Sequence, residues 1–323
     1  MRWSRVEKKP RKLAIIAAFA ALYIIWGSTY LGILFAIESI PPLLMAGTRY
    51  LTAGVVMYAI ARMQGARRSG WADWRTAAIV GACLLLGGNG GVTLAEQFIE
   101  SGLAAVIVAT VPIYMALLGW LSGSAPRPSP LIWAGLAGGF CGVGILLAPS
   151  FSIGAVSAHP RATTGMLILL FSSFAWSAGS IYSRRAKNAP SPFLAAGQQM
   201  LCGGAFLVIA GFARGEGPMF DAQRVTWLSI GAWVYLVVIG AIVGFTSYIW
   251  LLRHCDPAKV ATYAYVNPIV AVLLGAAFAD EQLTARTLVA AGLIIGSVAL
   301  VITADQWKAS SAEAVAEPSV GRT

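Results

Sequence analysis

The sequence predicts an all-α polytopic membrane protein whose ten transmembrane helices form two inverted five-helix repeats. Three observations carry this expectation. Hydrophobic residues make up 58% of the 323 positions and charged residues only 11%, against about 25% charged in an ordinary soluble domain. Apolar runs of about 20 residues recur along the chain, each long enough to cross ~30 Å of hydrocarbon. Residue patterns from the first half return in the second at a nearly constant offset.

The apolar runs span about 13–35, 41–61, 75–95, 102–122, 130–148, 165–183, 192–212, 226–251, 258–279 and 285–304, with short connections marked by Pro, Gly or charge. Segment 1 follows Arg5, Lys8, Lys9, Arg11 and Lys12, and Ala18-Phe19-Ala20 imitates a cleavage site. Only about five apolar residues precede that triplet, too few for the core of a secretory signal, so the segment is read as a retained helix. Segment 2 enters through Pro41-Pro42 and carries Arg49 ~12 Å into the membrane at ~1.5 Å per residue. Segment 3 contains Gly87-Gly88-Asn89-Gly90-Gly91, the weakest helical stretch in the chain at up to ~1 kcal/mol per glycine relative to alanine. Segments 4 and 9 carry Pro112 and Pro268, each of which removes a backbone hydrogen bond and frees a carbonyl in mid-membrane. These prolines read either as hinges lining a cavity or as packed kinks. Segments 3, 5, 8 and 10 hold Gly-x-x-x-Gly pairs at 87/91, 135/139, 138/142, 240/244 and 292/296, which indicate close helix packing. Residues 305–323 lack apolar periodicity and read as a disordered tail.

Eighteen of the 23 Lys and Arg residues fall at the termini and in the even-to-odd loops, four in the other loops, and Arg49 within the membrane. The positive-inside bias therefore places both termini in the cytoplasm, and explains the net charge of +10 without nucleic acid. None of the four cysteines has disulfide or metal-ligand spacing.

An offset of 150 maps Trp26 to Trp176, Pro42 to Pro192, Ala46-Gly47 to Ala196-Gly197, Leu51 to Leu201 and Gly54 to Gly204. An offset of 156 maps Pro112-Ile113 to Pro268-Ile269, and 157 maps Gly135 and Gly139 to Gly292 and Gly296. Five is odd, so the second unit enters from the opposite side. The expected organisation is a basic N-terminus (1–12), a first repeat (13–148), an external linker (149–164), a second repeat (165–304) and the tail (305–323). Inverted repeats suit a carrier that rocks about a midplane site; duplication for packing alone is the alternative.

Depth arithmetic places Trp26, Arg49, Pro112, Trp176 and Pro268 in one central layer, with Asn267 beside the last. Trp26, Tyr30, Trp176, Tyr248, Tyr263 and Tyr265, with Ser28, Thr29, Asn89, Gln198, Gln199 and Asn267, form the candidate lining of an amphipathic cavity. Filling of helix gaps is the alternative for each singly. A lone arginine in hydrocarbon costs about 2.5–3.5 kcal/mol by insertion scales without compensation. Arg49 thus reads either as a fork for an anionic group or as a structural tie to helix-end carbonyls or a glutamate; its repeat partner is Gln199. No Asp, Glu or His falls in the central layer. Glu96 is the one candidate for proton coupling, against a reading as a solvated helix end. Motifs for metalloprotease, serine-hydrolase, phosphate-loop or dinucleotide chemistry do not occur, so the chain is read as a non-enzyme without metal or cofactor. Its expected partners are a small-molecule substrate and the lipid bilayer, with a homodimer left open.

Trp26-Gly27-Ser28-Thr29-Tyr30, with Glu38, Pro41-Pro42, Ala46-Gly47 and Arg49, resembles the first unit of the EamA family of the drug/metabolite transporter superfamily. Thr262-Tyr263-Ala264-Tyr265-Val266-Asn267-Pro268, Leu273-Leu274-Gly275 and Asp280-Glu281 resemble the ninth-helix region of its second unit. Gly88-Asn89-Gly90, Ala95-Glu96 and Val108-Ala109-Thr110-Val111-Pro112 are similar to the YedA-type exporters within it. The resemblance covers about 13–304 and implies a ten-helix carrier of the bacterial inner membrane, exporting metabolites or amphipathic compounds. An uptake permease for amino acids or related metabolites is the alternative, with an intramembrane enzyme or sensor further off. Ser122-Gly123-Ser124-Ala125 departs from the family by lacking the acidic residue that Asp280-Glu281 supplies in the second unit.

Overall fold

A computed structural model describes residues 12–123, 127–151, 160–186, 189, 191–255, 260, 263–281 and 284–316. The described residues form helices and no strand. The principal helices are α1 (Lys12–Ile37), α2 (Pro42–Met63), α3 (Trp71–Ala95), α4 (Ser101–Leu121), α5 (Pro130–Phe151), α6 (Pro160–Arg185), α7 (Pro192–Ala213), α8 (Trp227–Leu251), α9 (Tyr263–Phe278) and α10 (Ala285–Ala316). Seven of these, α1–α4 and α6–α8, are long and apolar enough to cross a membrane. The other three contribute shorter apolar stretches, Pro130–Gly139, Val266–Phe278 and Ala285–Ser297.

Two expected boundaries shift. The connection assigned to 149–164 is shorter, because α5 continues to Phe151 and α6 starts at Pro160. The tail expected to be disordered from 305 is helical as far as Ala316. Its Ala, Gln, Lys and Glu residues are strong helix formers, and propensity there extends the helix where no apolar stripe does.

Two helices widen in their middles. Gly81–Gly90 of α3 and Leu236–Phe245 of α8 are π-helical, with hydrogen bonds reaching one residue further than in an α-helix, a rare form that frequently occurs at functional sites. The segments correspond residue for residue, Gly81 to Leu236 and Gly90 to Phe245, an offset of 155. Helix α4 is interrupted between Val108 and Val111, where Thr110 Oγ1 donates to the Ile107 carbonyl at 2.7 Å. Pro112 therefore opens the second piece of α4, where its missing N–H costs nothing, whereas Pro268 sits inside α9. The two prolines share a position in sequence but not a backbone role.

Helix α2 packs along α7, and α5 along α10. Glycine permits the first crossing. A Cβ placed on Gly47 would stand 3.1 Å from the Gly204 carbonyl, and one on Gly204 3.0 Å from the Gly47 carbonyl. Gly54 and Gly197 repeat the arrangement at 3.1 and 3.3 Å. The contacts are reciprocal, since Gly47 and Gly54 map by the 150-residue offset onto Gly197 and Gly204.

Two carboxylates close helix starts at the end of the bundle where α1 finishes. Gly215, in the left-handed region at φ 83°, turns the chain after α7 into the one-turn helix Glu216–Met219. Glu216 Oε2 then accepts from the Leu43 and Leu44 N–H groups at 2.9 and 3.0 Å. Glu281, just past α9, accepts from Ser101 N, Ser101 Oγ and Gly102 N at 2.7, 2.6 and 3.0 Å. Both groups meet the free N–H groups and positive dipole end of a helix.

Candidate functional site

A cavity of about 760 Å³, counting all empty space out to its mouth, opens between α1, α2, α3, α4, α6, α8 and α9. The glycine-sealed α7 contributes no wall. Eight of the residues expected at the site lie on it: Trp26, Thr29, Tyr30, Arg49, Asn89, Trp176, Tyr263 and Asn267.

The cavity floor is aromatic. Trp26 and Trp176 meet edge-on, with centroids 5.7 Å apart and planes at 87°. Trp26 also packs on Tyr248 at 5.0 Å and Tyr263 at 5.1 Å, the second edge-on at 85°. Each tryptophan is seated against a glycine of a π-helical segment. A Cβ on Gly244 of α8 would lie 2.7 Å from Trp26 Nε1, and one on Gly88 of α3 would lie 2.9 Å from Trp176 Cε3. Without those glycines neither indole could take its place.

Arg49 supplies the cavity's charge. It is 3% exposed. Its Nη2 donates to the Tyr50 hydroxyl at 3.0 Å and to Asn89 Oδ1, and the guanidinium stands 4.5 Å from the Tyr50 ring centroid. Its Nε has no partner. Among the described residues no carboxylate stands within ion-pair distance of it; the one ion pair shown joins Arg224 and Asp221 at 3.2 Å on the surface. Of the structural ties weighed for Arg49, neither the helix-end carbonyl nor the glutamate is present in this set of contacts. A side-chain amide and a phenol hold it instead, a neutral pairing that positions the charge without cancelling it.

Several expected residues fall elsewhere. Ser28 turns away, its Oγ donating to the Ile25 carbonyl at 2.8 Å and meeting the Tyr235 hydroxyl. Gln199 is buried on α7, and its carbonyl would stand 2.7 Å from a Cβ on Gly81. Glycine packing closes α3 onto α7 there, so Gln199, 150 residues after Arg49, does not line the cavity. The Tyr265 side chain lies outside the described residues. Pro112 and Pro268 are buried near the cavity without lining it.

Glu96 corrects an expectation. It is not a solvated helix end: it is 3% exposed, one residue past α3, and neither carboxyl oxygen has a partner. Burial pushes its carboxyl well above the usual carboxylate range, Glu281 adds to the push and Arg49 opposes it.

Sequence reasoning missed Tyr50, Ser172, Ser173 and the second seat, Gly244. Tyr50 carried a usable signal, since a phenol adjacent to a buried arginine can reach the guanidinium. The two serines on α6 stand alone in an apolar run and had none.

Comparison with known proteins places this geometry in context. The model of the EamA-like transporter family matches residues 12–148 and 163–303. The chain is 39% identical over 290 residues to the uncharacterized inner membrane transporter YedA of Escherichia coli strain K12, covering 90% of each protein. It is 28% identical to the uncharacterized transporter YvbV of Bacillus subtilis, over 94% of this chain and 95% of that one. It is 25% identical to a probable amino-acid metabolite efflux pump of Salmonella typhimurium, over 84% and 91%. A solved crystal structure matches the fold with a TM-score of 0.63 at 19% identity, covering 90% of this chain and 98% of that one.

Proposed function

Because the chain belongs to the EamA-like transporter family, and its apolar helices enclose a mainly apolar, aromatic cavity with a few polar side chains, we propose that it is a secondary carrier exporting small metabolites or amphipathic compounds. Alternating access operates at the cavity between two inverted five-helix repeats of a ten-helix bundle. The protein works as a carrier and not an enzyme, in a bacterial inner membrane, with both termini cytoplasmic. The export direction draws on the relative named an efflux pump, and the membrane on the relative named an inner membrane transporter.

One observation carries the reading. Trp26 of the first half rests on Gly244 of the second, and Trp176 of the second half rests on Gly88 of the first. Such crosswise seating is what a twofold relation between halves produces, and the glycine pairs of α2 and α7 support it. Rocking of one half on the other would slide both indoles off their seats and change the cavity's opening.

Comparison of metabolites in medium from deletion and overexpressing cells tests the function. A solute should accumulate outside on overexpression, and proteoliposomes holding the purified protein should move it. Identical media together with inert proteoliposomes would sink the proposal.

Glu96 is the proton-coupling residue in this scheme, facing Glu281 at the end of α9, Arg49 on α2 and Tyr30 on α1. The folded protein holds this proton more tightly than the unfolded chain does. Wild-type stability should therefore be full below the usual carboxylate range and fall as pH rises from that range toward the raised folded value. Glu96→Gln copies the protonated form, so its thermal stability should lose that slope, and flux should lose its pH dependence. Parallel slopes of Tm against pH in the two proteins would remove Glu96 from this role.

A further inference from the structure

We infer that the cavity takes an organic monoanion, one carboxylate-type group carried on a planar apolar body. This names the substrate class of the carrier proposed above and rests on that reading for its transport consequence, though not for binding.

The argument starts from unmet hydrogen bonds. The buried wall atoms without a partner are Arg49 Nε, Ser173 Oγ and Trp176 Nε1. Arginine and tryptophan nitrogens only donate, and a hydroxyl donates or accepts. No acceptor-only side-chain atom of a described wall residue stands unpaired in this way. The Tyr248 and Tyr263 hydroxyls are near Trp176 Nε1, without completing a bond to it, so the firmest members of the set are the guanidinium and the serine. A wall with surplus donors is complementary to a group that only accepts, and an ionised carboxylate offers two such oxygens.

Charge points the same way. Arginine stays protonated in proteins, and no described carboxylate stands within ion-pair distance of Arg49. A ligand anion in this low-dielectric site meets a positive charge that has no ion-pair partner among the described residues. Its carboxylate gains charge-assisted bonds that a neutral amide forms only weakly. Cage-like aromatic walls can also bind an ammonium group through their ring faces. Here the cage shares its space with a fixed cation, and the wall holds no carboxylate to meet an ammonium. That excludes an amine, and a zwitterion gains nothing from its ammonium end. Trp26, Trp176 and Tyr263 then face the apolar body.

Isothermal titration of the purified full-length chain in detergent tests this with three ligands on one skeleton: phenylacetate, phenylacetamide and phenethylamine. Phenylacetate should bind about ten- to a hundredfold more tightly than the other two, the range that charged hydrogen bonds span. Arg49→Gln should erase the preference, and Arg49→Lys, which keeps the charge but not the Nε donor, should retain only part of it. Ser173→Ala removes a hydroxyl that holds nothing in the fold, so it should leave Tm unchanged and weaken phenylacetate alone. That variant keeps the test valid if Arg49→Gln does not fold. Equal or tighter binding of the amine, no phenylacetate binding at millimolar concentration, or a preference untouched by every variant would overturn the inference. Flux of a neutral or cationic solute that Arg49→Gln leaves unchanged would overturn the anion class and leave the carrier standing. Anion binding without flux of any solute would do the reverse.

Discussion

Trp26→Ala should lower proteoliposome flux at least tenfold, the largest single-residue effect expected at the cavity, and Trp176→Ala should follow it closely. Trp26 touches Trp176, Tyr248 and Tyr263 and closes on the bare backbone at Gly244. Truncating a buried tryptophan to alanine typically costs about 3–5 kcal/mol, and each edge-on aromatic pair adds ~0.5–1.5 kcal/mol beyond its area. Part of the Trp26 side chain borders the cavity, so the stability loss should sit at the lower end. For the carrier proposed above, the transport loss has a separate origin, because the indole both borders the cavity and rests on Gly244, the contact that rocking would break. Trp26→Phe separates the two. It should recover most of the Tm lost by alanine while flux stays below wild type, since a phenyl ring fills the floor without reaching Gly244. Normal insertion of Trp26→Ala with wild-type flux would remove the residue from the site.

How far the site was readable in the sequence depends on what each residue's signal consisted of. Trp26 and Trp176 stood out because their positions match at a 150-residue offset, and the structure brings the two rings together edge-on at 5.7 Å. Gly47 and Gly54 shared that offset with Gly197 and Gly204, but their crosswise pairing shows only in the contacts. Arg49 stood out by cost alone. The glycine run in segment 3 flagged a weak helix and became a π-helical segment, whereas the matching widening in α8 had no glycine run to announce it. Ser28 and Gln199 were misplaced for one reason: depth along a helix is legible from residue count, but the direction a side chain faces depends on which neighbour packs against it. Ser28 faces Tyr235, 207 residues away. Glu96 was judged by depth as well, and depth does not register the packing that leaves it 3% exposed. The helix-capping roles of Glu216 and Glu281 link positions 173 and 180 residues apart, and no local pattern encodes such a bond.

Glu281→Ala should cause the largest stability loss outside the cavity, and a larger one than Glu216→Ala. Asp280 takes a left-handed turn at φ 51°, a conformation that aspartate tolerates better than most residues. That turn carries Glu281 back beneath the start of α4. There its two oxygens collect three bonds, from Ser101 N, Ser101 Oγ and Gly102 N. Alanine would leave two N–H groups at a buried helix start facing no acceptor, with Ser101 itself fully buried. Hydrogen bonds to a charged group contribute roughly 1.5–3 kcal/mol each, and non-additivity brings the expected total to about 3–5 kcal/mol. Glu216 makes two bonds through one oxygen and leaves the other unpartnered, so its removal should cost less. Glu281→Gln keeps one acceptor oxygen and should fall between wild type and alanine. Thermal unfolding of the four proteins in one detergent orders them. If Glu216→Ala proved the more damaging, or Glu281→Ala unfolded with wild-type Tm, then the bridge from α9 to α4 would not hold the first half of the chain to the second.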